Sequence, residues 1–186
     1  AMESYTGVRA SFLTDTLNLQ AIRMIAAFLR RAYANGSDIE ARTQMLQASC
    51  VAGMAFSNTQ NGLDHAIALA IGGRFHLPHG LLTAFICPWV MEFNLMACPD
   101  KFIKIAEAFG ENTTGMNKMA AAGLAVKAVK SMLDDFGISY RLSSYNVPQE
   151  AIPELAKATI GAARLIRNNP RSVSEKDGIS LLEANY

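Results

Sequence analysis

Charge is scarce in this chain and nearly balanced. Its 186 residues hold 17 Lys+Arg against 16 Asp+Glu, a net charge of +1, with only 18% charged residues. That balance excludes the basic footprint of a nucleic-acid binder and the acidic tail of a solvated segment. Cysteine is sparse too. Cys50, Cys87 and Cys98 are an odd number and form no CxxC pair, which fits reduced thiols in a cytoplasmic protein better than a disulfide framework. Gly, Pro or charge interrupts every apolar run before the roughly 18 residues that a membrane helix needs. No basic cluster precedes an apolar stretch at the start, as it would in a signal peptide. Repeats and low-complexity tracts are lacking. What is plentiful is apolar side chain, 51% of residues, enough to exclude disorder and fill a sizeable core.

The apolar spacing is helical almost throughout. Leu17, Ala21, Ile25, Phe28 and Leu29 share one face of a long helix, with Thr14 or Asp15 as its cap and Gly36 at its end. Ser37 and Glu40 read as a capping box opening a second helix to about Phe56. A third spans Gly62 to Ile71 and stops at a Gly72-Gly73 turn; a fourth runs from His79 to Asn94, kinked or divided by Pro88. Pro99 suits the first turn of the next, which Gly110 ends. Further helices are predicted over Met116 to Phe136, from Pro148 or Pro153 to Arg167, and after the Ser174–Asp177 box. No stretch alternates with period two between turn signals. The expected fold is one all-α domain, a helical bundle over residues 1–186.

Chemistry concentrates in one stretch. His65, His76 and His79 are the only histidines and fall within fifteen residues. Neutral imidazole is a common ligand for zinc and iron, so two helix ends meeting across a turn could bring His65 and His79 to one ion. The competing reading makes His65 a hydrogen-bonded core residue and His76 a surface one. A three-histidine zinc site including His76 is a further alternative. Asp64, about 100° from His65 around a helix, is expected to be solvated or to support a ligand from behind. The three thiols, in apolar contexts, are expected to be inert. Met45, Met116, Met119 and Met132 are expected in the core.

Taken together, four segments carry a dense pattern: Met45 to Asn58, Gly62-Leu-Asp-His65-Ala, Gly72-Gly73, and Phe75-His-Leu-Pro-His79-Gly80. They resemble the iron-dependent (group III) alcohol dehydrogenases, and Glu92-Phe93-Asn94 and Asn169-Pro170-Arg171 extend the likeness. It spans the whole chain but only the family's C-terminal half, the helical domain of the dehydroquinate synthase-like fold. The resemblance implies an enzyme that interconverts an alcohol and an aldehyde or ketone, with NAD(P) on an N-terminal domain and Fe²⁺ or Zn²⁺ held by an Asp and three His. By position, His65 and His79 are the last two metal ligands, and Phe56 and Leu165 stand on the substrate wall.

The departures shape the expectation. The family's Asp-x-x-x-His pair precedes a segment like Ala1-Met-Glu-Ser-Tyr-Thr-Gly7, so two of four ligands and the nucleotide-binding domain lie outside this chain. Leu69 stands where members often carry another active-site His. The chain alone is expected to be inactive and to hold neither metal nor NAD(P). Its expected partners are a small alcohol or aldehyde in the complete enzyme and a second copy of itself, with no nucleic acid and no membrane. The alternative is a non-catalytic helical interaction or scaffold module derived from the same family.

Overall fold

The computed structural model describes residues 1–186 and contains no strand. A short helix α1 (Met2–Thr6) precedes a long hairpin of α2 (Phe12–Ala34) and α3 (Ile39–Thr59). Then come α4 (Leu63–Phe75), α5 (His79–Asn94), α6 (Pro99–Ala108) and α7 (Lys118–Asp135). Two 3₁₀ turns lead into α8 (Ile152–Gly161), α9 (Ala163–Ile166) and α10 (Glu175–Ala184). The all-α bundle is as expected, and no helix is long and apolar enough to cross a membrane.

Several boundaries differ, each for a local reason. The cap of α2 is Ser11, in a reciprocal box with Thr14; apolar spacing missed this turn because Phe12 and Leu13 stay exposed. Asp38, not Ser37, caps α3 by accepting the Ala41 amide at 2.9 Å, while Glu40 pairs with Arg31. Gly72 and Gly73 lie inside α4 and make no turn. A Cβ on Gly72 would sit 3.0 Å from Leu82 Cδ1, so glycine there permits close packing of α5 on α4. The chain turns instead at His76, in the left-handed region at φ 54°. Pro88 is buried within an uninterrupted α5. The helix expected to reach Arg167 breaks at Ala162, and the Ser174–Asp177 box forms as read.

Two apolar cores share α5. One joins α4, α5, α8 and α10 around Trp89, Phe85, Ile67 and Leu155. The other joins α1, α2, α6 and α7 around Phe102, Ile105, Ile22 and Val126. Trp89 is fully buried and donates its indole N–H to the Tyr140 carbonyl at 2.9 Å, which satisfies its polar atom. Of the methionines expected inside, Met132 is buried, whereas Met116 and Met119 are exposed on and before the first turn of α7. Burial pushes the Cys87 thiol well up and Cys98 to about 11, as suits inert thiols. Cys50 departs from the expectation by lying exposed on α3.

Candidate functional site

The site begins with a carboxylate that touches α4. Glu3, on α1, accepts the Asp64 amide on Oε1 at 2.7 Å. Its Oε2 lies 2.7 Å from His65 Nδ1. One side chain therefore serves as acceptor for an otherwise orphaned N–H of the helix start and as partner for the imidazole one residue on. Gly62 makes this possible, since a Cβ there would lie 3.0 Å from Glu3 Oε1. The α3–α4 joint is held in turn by Asn168, whose Nδ2 donates to the Gln60 and Asn61 carbonyls at 3.1 and 3.2 Å.

His79 opens α5 and is exposed, and its ring meets that of His65 edge to face. The centroids are 5.3 Å apart at an interplanar angle of 64°. The chain therefore brings these two histidines together. His76, at the C-terminal end of α4, is exposed, and no three His, Cys, Asp or Glu residues gather as a metal-holding group. That removes the three-histidine alternative. Beside His65 lies an open concavity of about 530 Å³, lined also by Asn61, Leu69, Arg164 and Leu165. Phe56, 42% exposed on α3, is not part of that lining.

Behind His65 the environment changes. Asp64 is buried, not solvated, and its Oδ1 has no hydrogen-bond partner. Burial, reinforced by the neighbouring Glu3 charge, holds its carboxyl well above the usual carboxylate range. It borders a small cavity of about 30 Å³ with Met2, Cys87, Val90 and Phe102. Farther along, Asn94 and Asn169 exchange two amide hydrogen bonds of 2.8 Å, and Arg171 donates to the Phe93 carbonyl at 2.9 Å. The two segments that extended the family likeness are thus in direct contact.

Glu3 is the residue that sequence reasoning passed over. Its signal was weak, because a carboxylate capping a helix 61 positions away leaves no local pattern.

The family model for the C-terminal part of the Fe-containing alcohol dehydrogenases matches residues 1–186. The chain is 42% identical over 188 residues to the sulfoacetaldehyde reductase of Bilophila wadsworthia (strain 3_1_6), covering 100% of this chain and 49% of the relative. It is 41% identical over 177 residues to the 1,3-propanediol dehydrogenase of Citrobacter freundii, covering 95% and 46%. A crystal structure of a 1,3-propanediol oxidoreductase superposes with a TM-score of 0.96 at 38% identity, covering 99% of this chain and 48% of that one. The chain spans about half the length of the curated relatives it matches. With the model matched end to end and the fold shared, the chain belongs to the Fe-containing alcohol dehydrogenase family and corresponds to its C-terminal helical part.

Proposed function

We propose that residues 1–186 act as one helical unit, the metal-binding half of an NAD(P)-dependent dehydrogenase that interconverts an alcohol and an aldehyde or ketone. The observation that carries the reading is the contact of His65 and His79, 5.3 Å apart beside an open concavity. Two imidazoles are donors that Fe²⁺ or Zn²⁺ accepts, and one already has its Nδ1 engaged by a carboxylate, a usual feature of metal-ligating histidines. In this reading His65 and His79 supply two ligands, and Leu165 and Phe56 form part of the substrate wall.

A divalent metal held by His65 and His79 would supply Lewis-acid chemistry at the alcohol oxygen, and NAD(P) would supply the hydride acceptor. The chain's own residues prepare the place. Glu3 holds the His65 ring, the α4–α5 packing sets its distance from His79, and Leu69 and Leu165 give the open concavity an apolar side. Two imidazoles alone fall short of the three protein ligands normal for a catalytic zinc site. The isolated chain is therefore expected to hold far less than stoichiometric metal after dialysis, and no NAD(P). Three unpaired cysteines suit a cytoplasmic setting, and the active species is proposed to be a homo-oligomer.

A chimera tests this reading: the N-terminal half of the Citrobacter freundii relative joined to residues 1–186. The expected result is NAD-dependent alcohol oxidation that His65→Ala or His79→Ala lowers at least about a hundredfold, the order of a lost metal-site interaction. A chimera that is folded and active with both alanine variants unimpaired overturns the assignment.

A further inference from the structure

Neutral imidazole carries its proton on either Nδ1 or Nε2, and only the bare nitrogen can bind a metal. What faces the other nitrogen decides which is bare. In this chain Nδ1 of His65 lies 2.7 Å from Glu3 Oε2. A carboxylate offers lone pairs only, so that contact is a hydrogen bond when Nδ1 carries the proton. We propose that Glu3 is a positioning residue that sets the tautomer of His65, accepting Nδ1–H and leaving the Nε2 lone pair for a divalent cation. The proposal rests on the reading of His65 and His79 as a metal-binding pair.

Three observations make Glu3 suited to the task. Its carboxylate is held at both ends, since Oε1 accepts the Asp64 amide while Oε2 meets the ring. Its side chain is 13% exposed and that of His65 29%, so little water competes for the contact. Gly62, which has no Cβ, leaves the space that Oε1 occupies beside the start of α4. The amide held by Oε1 belongs to the first turn of α4, whose positive end favours a negative group. Glu3 thus couples the start of α4 to the orientation of His65, a carboxylate–histidine arrangement of the kind that supports metal ligands.

Glu3→Gln separates this role from a merely structural one. Glutamine keeps an oxygen for the Asp64 amide, but its NH₂ then faces Nδ1 and donates to it. The reverse placement would set donor against donor at Asp64. The substitution therefore preserves the cap and moves the His65 proton to Nε2, where it blocks a metal.

The measurement is a two-bond ¹H–¹⁵N correlation spectrum of the 186-residue chain at about pH 8.5, with and without added Zn²⁺. Wild type is expected to show His65 as the Nδ1–H form, and Zn²⁺ is expected to shift His65 and His79 together. Glu3→Gln is expected to show the Nε2–H form and an apparent Zn²⁺ dissociation constant raised about tenfold to a hundredfold, with unchanged helix content by circular dichroism. An Nε2–H His65 in wild type overturns the proposal, and this holds even if the variant fails to fold. An unchanged tautomer or unchanged Zn²⁺ affinity in a folded Glu3→Gln overturns it as well. If Zn²⁺ moves neither ring of wild type, the metal-pair reading itself fails and the proposal falls with it. Zn²⁺ binding with equal affinity in both proteins removes the role of Glu3 alone.

Discussion

Neighbouring residues on α4 meet opposite environments. His65 has a carboxylate partner and an open side, whereas Asp64 is buried with Oδ1 unpartnered against Met2, Val90, Met91 and Phe102. A buried polar group without a hydrogen bond costs about 1–3 kcal/mol. Loss of a carboxylate near a helix start gives back about 0.3–1 kcal/mol. The first effect wins, and the adjacent cavity has room for added methyl groups. Asp64→Leu is therefore expected to stabilise the domain by about 1 kcal/mol, or about 2–4 °C in Tm for a domain of this size. Thermal unfolding followed by circular dichroism checks it, and a lowered Tm would show that the carboxylate has a partner of its own. At this scale the histidines were legible because residue type and spacing reveal a donor set. The burial of Asp64 was not, because a helical repeat places a residue on a face without saying what covers that face.

The α2–α3 hairpin shows how an element can depend on one cap. Asp38 accepts the Ala41 amide and pairs with Arg31. The amide bond to Ala41 is the main cause that holds its carboxyl below the ordinary carboxylate value; burial opposes it, and Arg31 assists. A carboxyl lowered on folding contributes stability that is present above its unfolded value and lost as the pH falls through the folded one. The first turn of α3 is therefore expected to lose protection below about pH 4, the unperturbed Asp range. Asp38→Asn, which caps without titrating, is expected to flatten that dependence. Amide exchange at Ala41, expressed as protection factors, reports the outcome; equal acid sensitivity in both proteins would remove Asp38 from the account. Caps of this kind are legible where the signal is local. Pro99 opens α6, Gly110 and Gly137 follow α6 and α7, and the Ser174–Asp177 box opens α10. The break at Ala162 was not legible, nor was the continuity of α4 through Gly72-Gly73, where the close approach of Leu82 on α5 accounts for the glycine at 72 without a turn.

For the molecule as a whole, the apolar surface matters most. Ile39, Leu46, Met54 and Phe56 are exposed along α3, and Phe12 and Leu13 at the start of α2. Phe75 and Leu77 are half-buried against the core around Trp89. Exposed apolar side chains tend to be covered by association, and a net charge of +1 offers little repulsion against it. The chain is expected to form a dimer or larger species. Light scattering across a tenfold dilution decides it, and a constant mass of 20.1 kDa would count against association. Helix content, family membership and the two candidate histidines follow from residue order alone, because apolar period, caps and a dense motif are properties of neighbours in sequence. Tertiary structure decided the rest. Glu3 reaches His65 across 62 positions, and Asn94 reaches Asn169 across 75. Such pairings depend on how helices dock, and docking is set by the shapes of buried faces that no short stretch of chain contains.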